Sequence, residues 1–238
     1  AGTERVVLNL YEGFKAAGHT PVIVMMSRFN QKLRAEYNLD VVECGLERHA
    51  KWSRRLMDWA FRRKFARHEK QHGEFDLVLS NYPTSRTLIS HARDRFFTLI
   101  HIDDYPTAVK RGRLAHMQKR LQKRFNHKNV ITVSEGIEQH FLHKFNVKPH
   151  AIRTIYNPID VEAIRTLAEQ PCKELPAEPY LCHAARFDPQ KRHDVLLEAY
   201  AKLPAKSRPK LMLLTTPCIA LTQLVAYYDV AEDVIIKA

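Results

Sequence analysis

Short continuous apolar runs recur along the first two thirds of the sequence, at Pro21–Met26, Leu39–Cys44, Phe75–Ser80, Phe97–His101 and Asn129–Val133. Each is too short for a buried helix and is set between polar or helical stretches. That is the pattern of strands covered on both faces, as in a parallel sheet flanked by helices. Strands alternating with helices predict a doubly wound α/β fold. The first helix spans Gly2–Ala17, with Thr3 as N-cap, Val6, Val7, Leu10 and Phe14 on one face, and Gly18 as its stop.

After Ile155 the composition changes. Asn157-Pro158-Ile159-Asp160 reads as a turn, and Gln170–Pro179 holds three prolines and few apolar residues. A boundary there gives two domains, residues 1–165 and 166–238; 238 residues suffice for two but not three. The second domain begins with a strand at Tyr180–Ala185, a helix over Lys191–Leu203, a strand at Lys210–Leu214, a helix near Leu221 and a strand at Asp233–Ile236.

The formal charge is +12, which points to a polyanionic partner: nucleic acid, an anionic membrane or a phosphorylated substrate. Its distribution is uneven. Arg48–His72 carries nine basic and two acidic side chains, Val109–Lys128 eight basic and none acidic, and what remains is slightly acidic. The first segment reads as an amphipathic helix with Trp52, Leu56, Trp59 and Ala60 among Arg54, Arg55, Arg62, Arg63 and Lys64. The second reads as a helix with Leu114, Met117, Leu121 and Phe125 as its apolar stripe.

Neither G-x-x-x-x-G-K-[ST] nor G-x-G-x-x-G occurs among only seven glycines, so kinase and dehydrogenase readings lose their support. Cys44, Cys172, Cys182 and Cys218 have no metal-ligand spacing and read as reduced, mostly buried thiols of a cytoplasmic protein. No apolar run is long enough to cross a bilayer, and the N-terminus lacks a signal-peptide layout, so a soluble or peripherally bound protein is expected.

Three groups of residues can carry chemistry where open α/β sheets place ligands, after strands and before helices. Arg186-Phe187-Asp188-Pro189-Gln190-Lys191 follows an apolar strand, and its two cations, five positions apart beside a helix start, suit a diphosphate. A basic pair on a loop is also an ordinary solvated feature. His101 ends a strand, with Asp103 or Asp104 able to orient it toward a sugar hydroxyl or leaving group; a structural histidine beside a helix cap fits equally. Gly2 opens a helix, where a backbone without a side chain lets a phosphate approach.

The stretches G-T-E-R-V-V-L-N-L through A-G-H-T-P-V-I-V, V-I-T-V-S-E-G-I, I-Y-N-P-I-D and A-A-R-F-D-P-Q-K-R-H-D-V-L-L-E-A-Y, in this order, resemble the retaining glycosyltransferases of family 4. The resemblance implies a GT-B fold, two Rossmann-like domains with a nucleoside diphosphate sugar in the cleft between them. It assigns Arg186 and Lys191 to the donor diphosphate and to catalysis, Gly2 to the glycine loop near the donor phosphate, and His101 to the transferred sugar. Asn157 falls within a donor-side motif, while Glu4 and Ser134 fit structural roles as well. Catalysis by two cations needs no metal cofactor, and Asp103-Asp104 reads as loop polarity.

The resemblance also implies a first strand ahead of the glycine loop and a later E-x7-E motif, neither of which lies in this sequence. Thr215-Thr216-Pro217 stands where the family has a glycine-containing turn. The acceptor expected by resemblance is a glycolipid or oligosaccharide of bacterial envelope synthesis, such as lipopolysaccharide core. Trp52, Arg54, Arg55, Trp59, Arg62 and Arg63 would form an acceptor-side surface on the inner face of the cytoplasmic membrane. Nucleic acid is not the expected partner, because the basic segments carry no recognised binding motif. A non-catalytic relative of a glycosyltransferase is the other alternative.

Overall fold

Parallel pairing organises the strands. In the computed structural model, which describes residues 2–25, 31–46, 54–81, 94–172 and 175–238, β1 (Ile23–Met25) pairs in parallel with β2 (Val41–Glu43), Ile23 opposite Val41. A second parallel sheet runs in chain order through β3 (Val78–Ser80), β4 (Phe96–Ile100), β5 (Asn129–Thr132) and β6 (Ala151–Thr154). A third sheet joins β7 (Tyr180–Ala184), β8 (Lys210–Leu214) and β9 (Val234–Lys237), again all parallel. The chain divides into two units, Ala1–Ala163 with the first two sheets and Ile164–Ala238 with the third.

In the first unit, α1 (Gly2–Ala16) packs Leu8 and Tyr11 against Ile23, Leu39 and Val41. The Tyr11 hydroxyl accepts from the Asp40 amide at 2.9 Å, tying the helix to the start of β2. Val6 is buried as well, whereas Leu10 and Phe14 are only half-buried, so α1 is covered over more than the single stripe expected. Thr3 lies inside the helix rather than capping it. A short helix, α2 (Gln31–Glu36), links β1 and β2.

The basic helix α3 (Arg54–His72) forms, but its buried face differs from the expected one. Phe61 and Phe65 are buried, and Met57 and Ala60 pack with Phe61 against Cys44 and Leu46. Met57, Phe61 and Phe65 recur every four residues, one face of a helix. Leu56 and Trp59, about half exposed at 50% and 49%, point to solvent. The C-terminal turn is locked by Arg95, which donates to Glu69 and to the Phe75 carbonyl, both at 2.7 Å. Trp52 lies outside the described residues, as do the side chains of Arg54 and Arg55.

The other basic helix, α5 (Leu114–Phe125), follows the short α4 (Tyr105–Lys110) and buries the expected stripe. Leu121 and Phe125 join Ala108, Val130, Phe141, Phe145 and Val147 in a core on which Leu114 and Met117 pack. The next helix, α6 (Glu135–Gln139), continues into a π-helical turn, His140–Lys144. Strand β6 had no counterpart among the apolar runs. It alternates exposed and half-buried residues, as the edge of a sheet does. Helix α7 (Val161–Ala168) has no buried residue and straddles the division between the units.

In the second unit, α8 (His193–Ala201) and α9 (Ile219–Tyr227) cover one core, in which Leu197, Tyr200, Leu221 and Val225 meet Leu211, Leu213 and Val230. Strand β8 is buried, but β7 is not covered on both faces as its apolar run suggested, and Leu181 and Cys182 are exposed. The thiols differ from expectation too. Cys44 is buried, while Cys172, Cys182 and Cys218 are exposed.

Candidate active site

Because β3 to β6 are parallel, the residues that follow them lie along one edge of their sheet. Asn81 follows β3, His101 follows β4, Ser134 follows β5 and Asn157 lies in the loop after β6. Asn81 and His101 meet there: the His101 Nε2 is 3.0 Å from Asn81 Oδ1. With the amide oxygen as acceptor, Nε2 carries the proton and Nδ1 is left as an acceptor. Burial pushes the His101 pKa down, which favours this neutral form.

The orienting carboxylate expected at Asp103 or Asp104 is engaged elsewhere. Asp103 reaches His140 Nδ1 at 2.8 Å and accepts from the Tyr105 amide at 3.0 Å, which starts α4. Asp104 faces Arg120 at 3.7 Å. The group that orients His101 is therefore Asn81. His140, whose ring packs against Tyr105 at 4.4 Å between centroids, was not singled out from sequence, because its partner Asp103 lies 37 residues away.

Ser134 caps α6, accepting from the Ile137 amide at 3.4 Å. Gly2 is exposed in the first turn of α1, and a Cβ there meets no heavy atom within 4 Å. The exposed Asn157 sits beside Pro158, whose carbonyl accepts from Asn9 of α1 at 2.9 Å. One hydrogen bond thus brings α1 and the Asn157 loop together. Asp160 then caps α7 through the Ala163 amide.

In the second unit, Arg186 and Lys191 lie exposed on the loop after β7. Neither side chain has a hydrogen-bond or ion-pair partner among the described residues. The backbone around them differs from the expected helix start. Pro189–Lys191 is a 3-10 turn, capped by Asp188 through the Gln190 amide at 2.9 Å. The α8 helix begins only at His193. Asp194 stands in the first turn of α8 and is paired with Arg192 at 3.0 Å. What this loop presents to solvent is two exposed cationic side chains, with the helix start two residues beyond Lys191.

Residues 1–163 match glycosyltransferase family 4, well over half of the 238 residues. The chain belongs to glycosyltransferase family 4. The family 4 chain is similar in fold to a glycosyltransferase from Rickettsia africae, with a TM-score of 0.65 and 18% identity over 98% of this chain and 63% of that one. It is similar also to Anabaena HepE in complex with UDP and glucose, with a TM-score of 0.62 and 15% identity over 99% and 65% of the two chains. HepE in complex with UDP gives 0.66 and 14% over the same shares. The chain therefore spans less than two thirds of the length of these structures. Among curated protein sequences none matches it. The α/β architecture with parallel sheets, of the GT-B type, is common to the family 4 chain and these structures.

Two further features of this family 4 chain lie on α3. His68-Glu69-Lys70-Gln71-His72 has the H-E-x-x-H spacing that can place two imidazoles on one helix face around zinc. Here Glu69 is held by Arg95, His68 stacks on Phe75 at 5.5 Å, and no group of three potential metal ligands occurs among the described residues. The solvent face presents Trp59 with the Arg63 guanidinium 5.5 Å from its ring centroid. Phe61 and Phe65 are core residues and do not belong to that surface.

Proposed function

We propose that this chain is part of a transferase that moves a sugar from a nucleoside diphosphate donor to an acceptor hydroxyl with retained anomeric configuration. The observation that carries the reading is the pair Arg186 and Lys191, unpartnered cations on one strand-end loop of a family 4 chain. As the bond between the anomeric carbon and the diphosphate oxygen breaks, negative charge grows on the leaving group. Two cations held beside it stabilise that charge more than they stabilise the ground state. No metal is needed for this step. His101, neutral and fixed by Asn81, offers a hydrogen bond to the transferred sugar. Gly2 and Asn157 are assigned to donor binding by resemblance to the family.

The test is calorimetric titration of the full-length protein with UDP, GDP and ADP in the presence of EDTA, repeated on Arg186→Ala and Lys191→Ala. Saturable binding of one diphosphate, weakened in both variants, supports the reading and names the base. Absence of binding by all of them, together with salt-sensitive binding to nucleic acid, rejects it.

The acceptor we propose is an envelope glycolipid of the lipopolysaccharide type, met at the inner face of the cytoplasmic membrane. The exposed Trp59–Arg63 pair on a basic helix supports this, since an indole at the interface and a guanidinium near anionic headgroups act together. No helix among the described residues is long and apolar enough to cross a membrane. Co-sedimentation with vesicles containing anionic lipid, reduced several-fold by Trp59→Ala, checks the surface; equal binding to neutral vesicles counts against it.

A further inference from the structure

The loop that carries Arg186 and Lys191 rests on imidazoles. His193, the first residue of α8, is 2% exposed, and neither of its ring nitrogens has a hydrogen-bond partner among the described residues. His183 on β7 meets it edge to face, with centroids 4.8 Å apart and planes at 84°, and its own buried Nε2 is also unpartnered. From the loop side, Phe187 packs on His193 at 5.2 Å. The three rings form a continuous stack from strand to loop. Phe187 is the neighbour of Arg186, and His193 lies two positions beyond Lys191, so the stack holds the loop at both of its cations.

Packing alone would be served better by leucine or phenylalanine, which bury no unpaired nitrogen. Buried polar atoms without partners are uncommon in native structures and need a reason. The surroundings show what a proton would meet. On the loop stand Arg186, Lys191 and Arg192, all cationic. The loop and α8 supply three carboxylates, but Asp188 caps the Gln190 amide, Asp194 holds Arg192 through contacts of 3.0 Å, and Glu198 pairs with Lys202 at 2.8 Å. Tyr228, past the end of α9, is influenced by Asp194, and β7 contributes His183. Burial, and then His183, push the His193 pKa down, with Asp194 opposing in part.

We propose that His193 and His183 are positioning residues for the donor-diphosphate pair: packed together they seat the Arg186–Lys191 loop on β7, and uptake of a proton by His193 unseats it. The proposal rests on the donor reading of Arg186 and Lys191 given above. Its consequence is an acid limit to donor affinity set by the protein, since the diphosphate of a nucleotide sugar has no ionisation of its own in that range. The sign follows from linkage. A ring whose pKa is lowered by its seat binds a proton more readily in the open loop than in the closed one. The seat is therefore fully formed above the ordinary imidazole value of about 6.5 and is lost as pH falls below it.

The experiment is hydrogen–deuterium exchange on the full-length protein, at about pH 7.5 and about pH 5.5, corrected for the intrinsic exchange rate. The amides of Gln190 and Lys191, which donate to the Asp188 side chain and carbonyl, are expected to lose about tenfold in protection at the lower pH, while those of β8 keep theirs. His193→Phe, which retains a ring and cannot titrate, and His183→Phe, which removes the neighbour that pushes the His193 pKa down, are expected to flatten the response. Equal loop protection at both pH values in the unmodified protein overturns the proposal, and so does an unchanged pH response in both variants. If one variant does not fold, the other variant and the unmodified protein decide.

UDP-glucose is titrated in parallel. Affinity that falls with pH in the unmodified protein and holds level in the variants supports positioning. Affinity that stays level while the loop loosens overturns it. If UDP-glucose, GDP-mannose and ADP-glucose all fail to bind at about pH 7.5, the donor reading and with it the positioning role fall, while the exchange data still report whether the rings seat the loop.

Discussion

The loop after β4 and the loop after β7 each follow the carboxyl end of a strand in a parallel sheet, yet they treat their polar groups in opposite ways. After β4 the site side chains are engaged: His101 with Asn81, Asp103 with His140 and the Tyr105 amide, Asp104 with Arg120. After β7 the carboxylates cap the backbone or hold Arg192, while Arg186 and Lys191 have no partner among the described residues. A partnered group has its position fixed before any ligand arrives, whereas an exposed cation keeps its charge available for an anion. In the proposed function the first loop would orient a reacting sugar and the second would receive a diphosphate.

If that contrast is right, the first loop depends on the core beneath it. Tyr105 packs edge-on against Phe145 at 5.9 Å, and Phe145 is 1% exposed in the core formed by Phe125, Val130 and Phe141. Phe145→Ala is expected to cost about 3–5 kcal/mol of stability, read by chemical denaturation. A loss under about 1 kcal/mol would mean the core can close around the gap, and that the loop is not rigidly supported. Arg186→Ala tests the other side. It is expected to lower kcat/KM about 100-fold with no change in melting temperature, because the exposed side chain has no partner among the described residues. A drop in melting temperature would place Arg186 among the structural groups and remove the contrast.

The contrast was only partly legible in the sequence. Parallel α/β architecture was, because buried strands show as continuous apolar runs. The stripe of α5 was, because Leu114, Met117, Leu121 and Phe125 have no competing face. On α3 two faces competed, and the large indoles drew the choice to Trp59 although Met57, Phe61 and Phe65 face the core. Which face is buried was decided by Cys44 and Leu46, distant in sequence. The positions of His101, Arg186 and Lys191 after strands were legible for the same reason as the strands. Their partners were not, since Asn81 lies 20 residues from His101 and the seat of the β7 loop combines a strand, a loop and a helix.

Orientation of His101 gives a smaller effect than removal of a cation. Asn81→Ala takes away the acceptor for Nε2 and is expected to lower kcat about tenfold while leaving donor affinity unchanged. Activity should also fall in acid. The His101 pKa is pushed down by burial, so its neutral form is secure above about 6.5, and protonation below that value removes the Nδ1 acceptor. An Asn81→Ala variant with unchanged kcat would show that the imidazole is held by other means and that the β4 loop is less pre-set than its hydrogen bonds suggest.

The smallest expected effect concerns Arg192, which adopts a left-handed backbone with φ of 51° at the junction of the 3-10 turn and α8. That conformation is unfavourable for a side chain with a Cβ and free of penalty for glycine. Against it stands the exposed ion pair with Asp194. Arg192→Gly relieves the one and removes the other, so at low salt the two changes nearly cancel. Salt screens the pair and leaves the backbone strain untouched. In about 1 M salt the variant should therefore melt higher than the unmodified protein, by about 1–3 °C. A variant that melts lower at every salt concentration would show that Arg192 anchors the loop through Asp194, and the β7 loop would then resemble the β4 loop in being held by its own polar contacts rather than seated on buried rings.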